Sequence, residues 1–148
     1  DRSLTRARLT APAALLVFAV LCACSEQQRY ASPHLSGPDV AVESASLPLE
    51  VPQFFTHEVN GRPVSFFVIR MEKGVQAYFD ACVTCYRHKR GYAYRDGRVV
   101  CRKCNMDFSV FTLEKGVGGC YPIKIEGRTE VGRFLIPVKT IEAGAGKF

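Results

Sequence analysis

The sequence predicts a mainly β protein, a small domain of antiparallel strands built around two Cys-x-x-Cys knuckles, zinc-ribbon-like or rubredoxin-like, with little helix. Three observations carry this. From Glu50 onward, runs rich in Phe, Val, Ile and Tyr recur between turn dipeptides. The only helical candidate is a short turn at residues 106–115. Cys82-Val-Thr-Cys85 and Cys101-Arg-Lys-Cys104 are separated by fifteen residues, and Cys120 follows after fifteen more.

The chain opens with Arg2, Arg6 and Arg8, followed by an uncharged apolar run at residues 11–21. These are the basic and apolar segments of a secretory leader. The run is shorter than the roughly 20 apolar residues that a membrane-spanning helix needs. It ends in Leu21-Cys22-Ala23-Cys24. Leu21 three residues before Cys24, with small Ala23 between, resembles a bacterial lipobox. Cys24 is then the lipidated residue; Cys22 fits less well because bulky Leu21 precedes it. Residues 1–23 read as a lipoprotein signal peptide, and the location as the extracytoplasmic face of a membrane in a bacterial cell envelope. An ordinary secretory leader is the alternative. Residues 24–48, rich in Ser, Pro, Ala and Gly, read as a flexible tether, with His34 a solvated residue in it.

The metal-binding domain spans 49–148. A first strand around Phe54 and Phe55 meets Asn60-Gly61, which suits a tight hairpin turn, and a second runs through Phe66 and Phe67. After a turn at residues 72–74, a third strand leads into Cys82. Another short strand, Gly97-Arg-Val-Val-Cys101, leads into the second pair. Beyond Cys120, two further strands flank a turn at residues 126–132. Pro137 in the last of them argues for an edge position. About a hundred residues make a small core, so a metal staple would add materially to stability.

Without residues 1–23 the chain carries 17 basic and 13 acidic side chains, a net charge of +4. The signs are mixed, which gives no nucleic-acid signature. One local excess stands out: seven Lys or Arg and one acid, Asp96, between positions 87 and 103. It reads either as a solvated loop face or as a positive field that stabilises anionic sulfur ligands and steers an acidic partner.

Two residues between cysteines let both sulfurs reach one ion, with the turn's N–H groups aimed at the thiolates. The spacing of the two pairs falls in the zinc-ribbon range. Asn105 fits the left-handed position that closes a knuckle, Tyr86 less well. Disulfides are a rival in an oxidising compartment, though five cysteines leave one over. A thioredoxin-like pair lacks its helix and βαβ surroundings here. Four cysteines also hold iron–sulfur clusters, and spacing does not separate iron from zinc. Cys120, in Gly118-Gly119-Cys120-Tyr121-Pro122, is either a buried free thiol or a residue of the site. His57 and His88 read as strand and loop residues more than as ligands. There is no nucleophile–base constellation and no phosphate loop, so catalytic residues are not assigned.

These residues also carry a resemblance. The Phe66-Phe67-Val68 strand, Asp80-Ala-Cys82-x-x-Cys85-Tyr86, the Gly91-Tyr92 and Asp96-Gly97 turns, Val99-x-Cys101-x-x-Cys104-x-x-x-Phe108 and Gly118-Gly119-Cys120-x-Pro122 resemble the FtrD-like family of membrane iron–sulfur-containing proteins. The likeness covers residues 65–122, and Tyr121 stands where the family often has Asn. It implies a metal site at Cys82, Cys85, Cys101, Cys104 and Cys120 holding an iron–sulfur cluster or iron, with zinc the alternative. It further implies an electron carrier at most, serving ferrous iron uptake, with a membrane permease or redox protein as partner and the membrane reached through the lipid.

Overall fold

Phe66, Phe67, Val68 and Ile69 are consecutive, and all four are fully buried. A strand that hides both faces must be covered twice, and this one organises the molecule. The computed structural model describes residues 27–116 and 118–148. The leader, Cys22 and Cys24 lie outside the described residues. In chain order the strands are β1 Tyr30–Ala31, β2 His34–Ser36, β3 Asp39–Val42, β4 Gln53–Val59, β5 Arg62–Met71, β6 Gly74–Cys82, β7 Tyr92–Arg95 and β8 Arg98–Cys101. They continue with β9 Asp107–Phe108, β10 Pro122–Ile125, β11 Arg128–Glu130 and β12 Arg133–Pro137, before the helix α1, Val138–Gly144.

The strands form three sheets, ordered β1-β4-β5-β6-β10, β11-β12-β3-β2 and β7-β8-β9. The five-stranded sheet is the central wall. Because side chains alternate along a strand, Phe66 and Val68 of β5 face one way and Phe67 and Ile69 the other. The first pair packs with Val40, Val42, Phe134 and Ile136 of the four-stranded sheet and with Ile141 of α1. The second packs with Tyr92, Val99, Phe108 and Leu113 on the side of the three-stranded sheet, where the cysteines also lie. Asn60 and Gly61 both take positive φ in the β4–β5 turn, as the hairpin reading requires. Phe54 to Val59 pair antiparallel with Phe67 to Arg62.

Several expectations are corrected. The tether reading of residues 24–48 does not hold for the described part. β1 adds in parallel to β4, and β3, buried at every position, is an interior strand of the second sheet. The cause is the short run Asp39-Val40-Ala41-Val42, a β-rich segment among turn-forming residues. Asp39 is buried there against Arg128, at 2.7 Å. Residues 106–115 form the short strand β9 and turns rather than a helical turn. β12 is not an edge strand: it lies between β11 and β3. Pro137 is its last residue and opens α1, where its missing N–H costs nothing. The turn at residues 126–132 contains β11, closed by Val131 and Gly132 at positive φ.

Candidate metal centre

Strand register brings the cysteines together. β6 ends at Cys82, and β10 pairs with it so that Pro122 stands opposite Cys82. The Val83 N–H donates to the Tyr121 carbonyl at 3.0 Å. Cys120 therefore arrives beside Cys82, with their sulfurs 3.4 Å apart. The approach needs a sharply bent backbone, and Gly116, Gly118 and Gly119 supply it at positive φ. On the other sheet, β8 ends at Cys101, opposite Tyr92. Two hydrogen bonds, Asn105 N–H to Cys101 carbonyl at 2.8 Å and Cys101 N–H to Met106 carbonyl at 2.9 Å, close the second knuckle. Asn105 is left-handed at φ 57, as its sequence position suggests; after the first pair the left-handed residue is Lys89.

All five thiols of the described residues converge. The sulfurs of Cys82, Cys85, Cys101 and Cys120 lie within 4.8 Å of one another. Cys104 stands outside that set and touches Cys120 at 3.3 Å. Cys82, Cys101 and Cys120 are buried, Cys85 is half-buried and Cys104 is exposed. No histidine belongs to the cluster among the described residues: His34 and His88 are exposed and His57 is half-buried in β4.

A family model described as membrane iron–sulfur-containing protein FtrD-like matches residues 50–148. The chain belongs to the FtrD-like family. Comparison with curated proteins and with solved structures finds no match. No helix among the described residues is long and apolar enough to cross a membrane.

The donor set, all thiol sulfur, fits a thiophilic metal. At a metal–sulfur distance of about 2.3 Å, tetrahedral ligands lie roughly 3.8 Å apart. Four sulfurs within 4.8 Å of one another are close to that spacing. They suit one ion shared by four thiolates, because a cluster of several irons sets its thiolates on different irons and spreads them further. A second sign is the Tyr92 hydroxyl. It is buried, it lacks a conventional hydrogen-bond partner, and it lies against Cys82 with Cys120 and Cys101 close by. A metal-bound thiolate is an acceptor that such an orphan donor can use.

The electrostatics agree. Burial works against ionising Cys82, but the Thr84 hydroxyl and the N–H groups of Thr84 and Cys85 outweigh it and hold the thiol below its usual value. At Cys104 burial is again outweighed, chiefly by the Met106 N–H, and the thiol is lowered. Burial raises Cys85, Cys101 and Cys120, and neighbouring sulfurs push Cys120 higher still. Metal binding at such a site releases protons, because the ligands bind as thiolates.

Sequence reasoning missed Tyr92 and Asp80. Asp80 is buried on the wall strand β6, and burial raises its carboxyl above the usual range despite the Tyr92 N–H, Tyr30 and Arg102. It accepts hydrogen bonds from the Tyr30 hydroxyl at 2.7 Å and the Tyr92 N–H at 2.5 Å, clamping β1, β6 and β7 together. Gly91 lies against this carboxylate so closely that a Cβ would sit 2.6 Å from Oδ1. The Asp-Ala-Cys and Gly-Tyr motifs are therefore one device, a signal visible in the sequence only as two separate motifs. Beside it opens a pocket of about 290 Å³ lined by Lys89, Arg90, Arg102 and Lys147. Among the described residues none of these four pairs with a carboxylate.

Proposed function

We propose that this chain is an extracytoplasmic, lipid-anchored metal protein that holds iron on its cysteine nest and serves as an accessory electron carrier for metal uptake. The observation that carries the reading is the convergence of five thiols beside a buried tyrosine hydroxyl that lacks a conventional partner, in a domain whose family is described as membrane iron–sulfur-containing. Bound iron supplies a one-electron couple. The protein's residues do the rest. Cys82, Cys85, Cys101 and Cys120 provide the sulfur, with Cys104 beside them and with Tyr92 and the knuckle N–H groups donating to it. The wall strand excludes water from the inner side. The cations Lys89, Arg90, Arg102 and Lys147, which line one pocket, present a docking face to an acidic redox protein or permease loop. Cys24 carries the lipid, whose two acyl chains suffice for stable anchoring.

A second reading, a structural zinc site in a docking module, is favoured by the tight mutual spacing of the four sulfurs. Protein isolated anaerobically from its native compartment separates the two. The first reading expects iron by elemental analysis and thiolate-to-iron absorption in the visible range. A colourless protein holding stoichiometric zinc would replace it by the second. Cys24→Ser should release the chain from membrane fractions; a variant that stays bound and fully processed would refute the anchor.

A further inference from the structure

The nest holds one thiol too many for a single tetrahedral ion. The two Cys-x-x-Cys pairs suggest that the extra one is Cys120. The structure points elsewhere. Cys120 is 4 % exposed and belongs to the mutually close set with Cys82, Cys85 and Cys101. Cys104 is outside that set and open to solvent. The orphan Tyr92 hydroxyl lies against Cys82, Cys120 and Cys101, which marks the buried side of the site.

We propose that Cys82, Cys85, Cys101 and Cys120 are the ligands, and that Cys104 is a spare thiol at the mouth of the centre through which the ion exchanges with an outside acceptor. This deepens, and rests on, the reading of the nest as a metal centre. Three of the four ligands are buried and the fourth, Cys85, is half-buried, so the exposed Cys104 offers the most open approach to the ion. Cys104 is the exposed residue of the five, and its sulfur lies 3.3 Å from that of Cys120. With an ion bound, Cys104 would replace Cys120 as a ligand: the Cys104 thiol would give up its proton as the Cys120 thiolate takes one up, and no electrons would be transferred. An acceptor that offers thiolate or imidazole ligands would then meet the ion from the Cys104 side.

The test uses the metal-loaded protein as isolated. Brief alkylation with N-ethylmaleimide, read by mass spectrometry, should modify Cys104 alone. Cys104→Ser should keep the wild-type metal content and absorption spectrum, yet release the ion to a chromophoric chelator several-fold more slowly. Cys120→Ser should lose most of the metal; should it fail to fold, the alkylation pattern of the wild type still decides. Protection of Cys104 with labelling of Cys120 would overturn the assignment, as would a Cys104→Ser variant that loses its metal. Unchanged release from a metal-replete Cys104→Ser would overturn the exchange role. Elemental analysis showing no metal at all would sink the underlying reading as well, and so tells the two failures apart.

Discussion

The two faces of the central sheet are held by different means. On one, Phe66 and Val68 meet the second sheet and α1, with Val40, Ile136 and Ile141 wholly buried. This half has an ordinary apolar core. On the other, Phe67 and Ile69 meet a sheet of three strands, the longest only four residues, with Cys82, Cys101 and Cys120 packed into the same cluster. Short strands of that kind bury too little to be stable alone, so this half depends on the wall, on the Asp80 clamp and on what the sulfurs bind. One half specifies the fold and the other spends that stability on a site.

The sharpest way to break the contrast is in the wall itself. Phe66→Ala should cost about 3–5 kcal/mol and lower the melting temperature of the whole domain, since it opens a cavity in the apolar half. A loss confined to the cysteine side would contradict the division. Removal of the metal by a chelator should do the reverse. Amide exchange should accelerate across β7, β8 and β9, while β4, β5 and β12 keep their protection. Uniform loss of protection would show that the halves unfold as one.

Smaller changes sharpen the comparison. Gly91→Ala forces a Cβ against the Asp80 carboxylate at a residue with φ +63. The expected cost is about 1–3 kcal/mol, with weaker metal retention, because Tyr92 follows directly and sits opposite Cys101. Chemical denaturation with parallel metal analysis measures both. Tyr92→Phe should change stability least, since it removes a hydroxyl that has no conventional partner. It should still shift the absorption maximum or reduction potential of the centre. An unaltered spectrum and potential would remove Tyr92 from the site.

Much of this was legible in the sequence, for identifiable reasons. The β4–β5 hairpin was readable because Asn60-Gly61 admits few other conformations. The thiols were readable because cysteine spacing is local. The mainly β class followed from runs such as Phe66 to Ile69. What escaped depended on partners distant in the chain. Val40 and Val42 look like tether until β12 is known to lie beside them. Pro137 marks an edge in isolation and a strand end once α1 follows. The ranking of Cys104 and Cys120 depends on the β6–β10 register, which no spacing rule contains. Asp80 and Gly91 carry separate motif signals, and only folding shows that one occupies the space the other leaves.

The side chain of Gln28 has a consequence for where the centre can work. Its amide donates to the Tyr92 carbonyl at 2.9 Å and accepts from the Tyr94 N–H at 3.1 Å, pinning the incoming chain along β7. Gln28 is four residues from Cys24. Fully extended, four residues reach about 14 Å. A lipid on Cys24 would thus leave the domain on a leash shorter than its own diameter. The cysteine-bearing half would ride at the headgroup layer and would search for partners by sideways diffusion within the membrane plane rather than by roaming the compartment.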